Sequence, residues 1–585
     1  MNPVFGRNDA ERRGGGQIAP PASPQSELLA SPERGKGVGA GVVARDFLRR
    51  PLCGTLARMF GRSVGLVALM GLWLSSAFVA RALDIPVDPS TLSARLAAAS
   101  PGDTFVLAPG HYAHFTLSGV DGRPDAWITV RGPATGEPAV VDADRGPCCN
   151  TIELRDSSFV ALEYLTVDGG GVDGAFGVSA SGTAVHDVRV EGCTFVNHDS
   201  SQQNVAISTK APAWGWIIRG NRILGAGTGM YLGNSDGTDP FVGGLIENNL
   251  FSDTIGYNVQ IKWQQPRPAV SGLPTTASVT IVRRNVFLKT DRPSPDGDRP
   301  NLLVGGFPTT GAGADDRYEI YGNFFFHNPR ESLLQASGRV SIHDNVFVDA
   351  PGNAILLQDH DLPLRQALVY NNTIYAVGTG IQFGSVAPQG DAVFGNLVFA
   401  GTAITGAIAD QRDNLTDTVG NAGLYVTSAS TTLGAMDFYP LSGGPAQGAA
   451  LDMAKVLLDA EYDRDFNAAG KGAFTFRGAY AGEGANPGWR LAEGLIGATS
   501  PPPSGADGGG PPVGVDGGTP PVGDAGPASS VDGGSASRLA DAAGCSCAAP
   551  GTLAPESRGG APGGLWLAAL LFALGARRRS AGGAR

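Results

Sequence analysis

Lys262 closes the run NVQIK, with Gln260 before it, Trp263 directly after it and Arg267 a short way on. If Val259 and Ile261 face inward, period-2 alternation sends Gln260 and Lys262 outward. The same parity sends Tyr231 outward in GMYLG, one repeat earlier. Tyrosine and tryptophan offer flat apolar faces on which sugar rings can stack, while glutamine and lysine satisfy hydroxyls. Tyr231, Gln260 and Trp263 are therefore the expected ligand contacts beside Lys262. A solvated lysine on an exposed strand would carry the same pattern, and Trp263, like Trp214, would equally suit packing beneath a loop. The run TDRPSPDGDRP places Asp291, Asp296 and Asp298 in one segment. Clustered carboxylates are the donor type that holds Ca2+, though Asp-Gly stretches are also ordinary turn chemistry. No cofactor other than this Ca2+ is suggested. Asp359-His360-Asp361 has the composition of a proton relay and, equally, of polar surface.

These residues sit in a repeat. An alternating apolar stretch, an asparagine, then two or three apolar or aromatic residues recur at Asn221, Asn249, Asn285, Asn323, Asn345, Asn372 and Asn396, with Cys193 in the same register. The spacing is 22 to 28 residues, with two longer intervals of 36 and 38. A second apolar run follows each asparagine, as in NVAIS, GMYLG, NVQIK, NLLVG and GIQF. Short period-2 runs bounded by Gly, Asn and Asp are strands, and their regular recurrence makes a solenoid in which each coil contacts its neighbours. Asparagines at one corner can pair amide to amide along the stack, so the series reads as scaffold. Three long segments follow the second strands of consecutive coils, at 233–242, 263–278 and 307–315. Adjacent long loops on one edge of an open sheet make the wall of a groove.

The body, 83–409 with a C-terminal part and cap at 410–498, looks like the right-handed parallel β-helix superfamily of pectate-lyase-like proteins. The entry segment STLSARLAAASPGDTFVLAPGHY supports this, with Ser90 placed to cap a short helix over the open end, and DRDFNAAGKGAFTFRGAYAGE resembles a closing segment of that superfamily. The resemblance implies an all-β, single-stranded right-handed parallel β-helix solenoid with a short N-terminal capping helix. It also implies a sugar chain as partner. In the superfamily's lyases a lysine or arginine removes the proton alpha to a uronate carboxylate, which calcium or arginine neutralises. Carried over, this makes Lys262 the base and Arg267 the carboxylate clamp. The compact signatures of the lyases and the paired aspartates of the hydrolysing β-helices are absent, so a binding protein without turnover and a structural or adhesive protein stay open.

With 86 Gly and 41 Pro in 585 residues, the composition excludes a packed helical protein, and 42% hydrophobic residues still suffice for a large core. The net charge is −11, and basic residues concentrate at the two ends, so the body is more acidic still. That argues against a nucleic-acid partner, and against polyanionic sugars unless cations bridge them. A monomer is expected. Arg58 and Arg62 precede the apolar run Val64–Val79 and the small-residue site Ala80-Arg81-Ala82, which reads as a signal peptide over 59–82. Residues 1–58 are then a disordered or mis-assigned start, with Met59 the alternative beginning. Residues 499–544 are a Gly/Pro/Asp-rich linker, read as a disordered stalk. Over 545–585, Cys545-Ser-Cys547, the hydrophobic tail Leu565–Ala576 and Arg577-Arg578-Arg579 resemble a MYXO-CTERM type sorting tail. That resemblance implies a membrane-bound processing protease, contact with the membrane through the tail, and a final place at the cell surface or outer envelope, with release a further option. Of the body cysteines, Cys148, Cys149 and Cys193, one disulfide is open and one thiol is left over.

Overall fold

The computed structural model describes residues 83–142 and 150–497. The segments read as signal peptide, linker and sorting tail, together with Cys148 and Cys149, lie outside the described residues. Within them no helix is long and apolar enough to cross a membrane.

One coil shows the plan. Val279–Arg283 meets a two-residue corner at Arg284 and Asn285, Val286–Leu288 follows, a long turn leads to Leu302–Val304, and a second long turn returns to Arg317–Tyr321. Arg317–Tyr321 lies parallel to Val279–Arg283, Phe324–Phe326 to Val286–Leu288, and Leu334–Ala336 to Leu302–Val304. Repetition builds a 15-stranded sheet and a 21-stranded sheet, the second holding two strands of each coil. The chain is thus a parallel β-helix with three strand-bearing faces. Alternation puts one side of every strand into a shared core. There Phe251, Phe287, Phe325 and Phe347 stack with ring centroids 5.1, 4.6 and 4.6 Å apart.

The corner between the first two strands is constant. From Tyr164 to Asp413 each coil spends two residues on it, and the first is left-handed, with φ between 49° at Asn371 and 67° at Gly220. Asparagine, aspartate and glycine, which tolerate this region, hold most of these positions. The second residue is the asparagine of the repeat. Asn323 Nδ2 donates to Asn345 Oδ1 at 2.9 Å and to the Val282 carbonyl at 2.8 Å, while its Oδ1 accepts from the Asn285 backbone N–H at 2.9 Å. The same pattern runs through Asn221, Asn249, Asn285, Asn345, Asn372 and Asn396, all fully buried, and ends on Asn414, which the sequence reading did not include. Cys193 continues the row, its N–H donating to Asn221 Oδ1 at 2.9 Å. Burial pushes its thiol up to about 12, so it is an inert core side chain.

Two end features differ from expectation. The helix is one short turn, Leu92–Leu96, with Leu92 and Leu96 in the main core; its entry is organised by Asp88, whose Oδ1 accepts from the N–H groups of Ser90 and Thr91, so Ser90 is not the cap. Residues 410–497 were expected to close the far end. After a last rung at Leu415–Asp417 they fold back along the outside of the coils. The reason lies in the outward positions of the middle strands. Leu250, Val286, Phe324, Val346 and Leu397 are apolar and would face water, and Phe438, Phe466, Tyr480 and Leu491 cover them. Arg283 and Arg284 to Glu461, and Arg317 to Asp459, pin the same flank.

Candidate functional site

The third strands carry the face that the long loops border. Ser208, Tyr231, Gln260, Leu303, Gln335 and Leu356 stand in register on its outward side, while Met230, Val259, Ile261 and Val304 alternate into the core. Gln260 has the expected parity but is only 4% exposed, since Tyr231 and Leu303 flank it. Parity fixed its direction, and its neighbours fixed its exposure.

Just past the strand ends the ladder continues. Lys210 N–H donates to the Ala180 carbonyl, Lys262 N–H to Leu232 and Gly305 N–H to Ile261, all between 2.8 and 2.9 Å. Lys210 and Lys262 therefore occupy equivalent outward positions two coils apart, with Gly233 between them. A Cβ on Gly305 would stand 2.3 Å from the Trp263 backbone nitrogen, so only glycine lets the chain pass Lys262 and Trp263 here. Tyr231 is between the two lysines: Lys210 Nζ lies 3.9 Å from its ring centroid and Lys262 Nζ 6.0 Å.

The electrostatics follow from this packing. Burial lowers the pKa of the half-buried Lys262, Asp361 opposes the shift and Arg299 adds to it. Lys210 keeps part of its length in solvent, but its ammonium lies against Tyr231; burial and the charge of Lys262 bring it down to about 8, against the pull of Asp239. Burial also pushes the Tyr231 phenol up to about 12, and raises that of Tyr257, over which Arg299 sits at 5.8 Å. Sequence reasoning missed Lys210, Tyr257 and Arg299. The signal for Lys210 was present, because NVAISTK and NVQIK each end an outward run on lysine.

Walls rise at both strand ends. The three long loops are laced layer to layer: Gln265 N–H donates to the Gly237 carbonyl at 2.9 Å, Gln264 N–H to Gly306 at 3.0 Å and Arg267 N–H to Ala312 at 3.3 Å. On the other side the 289–301 segment reaches back over earlier coils. Gln202 Nε2 donates to the Gly297 carbonyl at 2.8 Å, and Arg292 pairs with Asp199 and Asp253.

Three expected roles change. Trp263 belongs to the wall: its indole N–H donates to the Ser235 carbonyl at 3.1 Å and its ring lies against Gly237, while Trp214 is buried and stacked on His186. Arg267 is not a clamp on this face. Its side chain is buried, paired with Asp316 and donating to the Pro274 and Thr276 carbonyls, so the guanidinium is consumed in holding its own loop. Asp291, Asp296 and Asp298 do not converge either. Asp291 faces His327, Asp296 accepts from Gln203, and Asp298 lies 3.9 Å from Arg330. Among the described residues no three His, Cys, Asp or Glu side chains come together to hold a metal ion. In the Asp359-His360-Asp361 run, Asp359 accepts from the Leu364 N–H and His360 stands 3.7 Å from Asp361, whose charge acts on Lys262.

No protein-family model and no curated protein sequence matches this chain. Among solved structures, the chain is similar to an alginate lyase from Paenibacillus sp. str. FPU-7 at 16% identity, over 56% of this chain and 98% of that one, with a TM-score of 0.34. It is similar to pectate lyase Pel9A at 12% identity, over 68% and 96%, with a TM-score of 0.37. It is similar to the Dettilon tailspike protein at 12% identity, over 57% and 64%, with a TM-score of 0.34. Likeness at this level assigns no activity, and the fold of this chain rests on the strand pairings described above.

Proposed function

We propose that this chain is an exported, surface-anchored protein that binds an acidic polysaccharide along the walled face and cleaves it by β-elimination, with Lys262 as the base. Export is supported by the signal-like segment 59–82 and anchoring by the tail at 545–585, and right-handed winding is the expected hand for parallel crossovers of this kind. The observation that carries the chemistry is the half-buried Lys262, its pKa lowered by burial, set beside Lys210 and the Tyr231 ring. A lysine held below its ordinary range has a larger neutral fraction near neutral pH, which a general base requires. The second cation, Lys210, offers charge to the carboxylate whose alpha proton is removed, a role closed to Arg267 because its side chain is buried against Asp316. The acidity of the body as a whole argues against a polyanionic partner, and the local cluster of Lys210, Lys262 and Arg299 offsets it on this face.

A second reading, binding without turnover, draws on the consumption of Arg267 and the dispersal of Asp291, Asp296 and Asp298, which leave carboxylate neutralisation to Lys210 and Arg299. One experiment separates the two. Wild type and Lys262→Ala are incubated with a panel of uronate polymers, with and without calcium, and the ultraviolet absorbance of the unsaturated uronate product is followed alongside glycan binding. Product from wild type and a loss of about 100-fold or more in Lys262→Ala supports elimination. Binding without product supports the second reading, and neither binding nor product refutes both.

A further inference from the structure

A second cluster of titratable groups lies far along the chain from the walled face, where the folded-back flank meets the constant corner. Asp344 and Asn371 are successive left-handed corner residues one coil apart, and Asp344 N–H donates to the Asn371 carbonyl at 3.1 Å. Lys471, from the flank, reaches in between them. Its Nζ lies 2.7 Å from Asp344 Oδ2 and 3.3 Å from Asn371 Oδ1, and it donates to the Tyr462 carbonyl at 3.0 Å. The side chains of Lys471 and Asp344 are 4% and 2% exposed, and Asn371 is equally buried. Nδ2 of Asn371 is directed at the Gly395 and Phe476 carbonyls, 3.4 Å from each, which turns the amide oxygen towards the lysine.

An isolated buried ion pair is a poor source of stability, because desolvating two charges offsets their attraction. Burial pushes Asp344 up to about 8, against the pull of Lys471, so the carboxyl favours its protonated form. An amine, a carboxyl and a carboxamide thus stand together, with a 2.7 Å path for a proton between Lys471 Nζ and Asp344 Oδ2 and the Asn371 amide oxygen 3.3 Å from the same nitrogen. Those are the parts of an uncatalysed-by-other-means acyl transfer: a nucleophile, an electrophile and a proton shuttle, held away from water.

We propose that Lys471 and Asn371 condense into an intramolecular amide crosslink, with Asp344 shuttling the proton. The Lys471 Nζ lone pair attacks Asn371 Cγ while the Asp344 carboxylic acid donates its proton to the amide oxygen. The tetrahedral species collapses with cleavage of the Cγ–Nδ2 bond, and Nδ2 leaves as ammonia with the proton removed from Nζ, relayed by Asp344. One C–N bond forms, one breaks, ammonia is the sole by-product and nothing is oxidised or reduced. A small cavity of about 10 Å³ is bordered by Asn371, Lys471, Phe474 and Phe476. The product replaces the buried amine of Lys471 with an amide and fastens the flank covalently to the coil stack.

The test is peptide mapping by mass spectrometry of the full chain, purified folded and digested. The expected result is a branched peptide joining the segments that contain Asn371 and Lys471, lighter than their sum by one ammonia. Recovery of the two segments as separate, unmodified peptides overturns the proposal, and so does a link from Lys471 to Asp344 with loss of water. Asp344→Asn and Lys471→Met, checked for fold by circular dichroism, should both lack the branched peptide. Its persistence in folded Asp344→Asn would overturn the assignment of the shuttle.

Discussion

Replacing Asn323 by alanine removes the middle of the asparagine row. The side chain serves four neighbours: its Oδ1 accepts from the Asn285 backbone N–H at 2.9 Å and from Asn285 Nδ2 at 3.0 Å, and its Nδ2 donates to the Val282 carbonyl at 2.8 Å, to Asn345 Oδ1 at 2.9 Å and to the Tyr321 carbonyl at 3.1 Å. Asn345 Oδ1 keeps the Asn323 backbone N–H, Asn285 Nδ2 keeps the Ile246 and Arg283 carbonyls and the Tyr321 carbonyl keeps the Arg284 N–H, so the groups left without that partner are the Asn285 N–H and the Val282 carbonyl. Asn285 and Val282 are both fully buried. Each orphaned buried group costs about 1–3 kcal/mol, so Asn323→Ala should lose about 2–6 kcal/mol. Asn414→Ala is the internal control: Asn414 ends the row and makes the same bonds, to the Asn396 N–H and Nδ2 and to the Val393 carbonyl, but it is half-buried, so water can replace part of what is lost and only about 1 kcal/mol is expected there. Guanidinium unfolding followed by circular dichroism measures both. A loss of less than about 0.5 kcal/mol at Asn323, or equal losses at Asn323 and Asn414, would show that the row is not held together by these amides.

Affinity for an anionic glycan should fall as pH rises through about 8, because the bound anion favours the charged form of Lys210, and Lys210→Arg should remove that step; isothermal titration across the range checks it. Arg267→Ala should lower stability by about 3–5 kcal/mol, since it leaves Asp316 buried without its partner, and should leave the affinity of the folded protein unchanged in a binding assay. The hydrogen bond to Asp349 raises the pKa of His327 while burial opposes it, so its stabilising contribution is present below about 6.5 and is lost as pH rises through the raised folded value. His327→Gln should flatten that part of the thermal stability profile.

The solenoid was legible because its signal repeats. One asparagine in an apolar run says little, but seven in one register require a common corner. Asn414 escaped because a single apolar residue, Leu415, follows it, where its predecessors have two or three. The strand faces followed from parity, which placed Tyr231, Gln260 and Lys262 on the outward side without revealing that Gln260 is covered. Arg267 was misread because its partner, Asp316, is separated from it by 49 residues and a loop whose path no local pattern encodes. The flank was misread for a related reason. Phe466 and Tyr480 show no period, and their target is the outward side of strands for which the sequence reading assigned no facing.

The left-handed corner works as a fixed gauge. Coils differ in length from 18 to 38 residues, yet from Tyr164 to Asp413 none of that variation falls between the first two strands. Insertions there would break a hydrogen-bonded column, whereas the turns on either side of the third strands have no such column to keep. Growth of the chain is therefore channelled to the two borders of one face. A lineage built on this plan can lengthen or trade the rims of its groove while the spacing of its coils stays put, so recognition is free to diverge without renegotiating the scaffold.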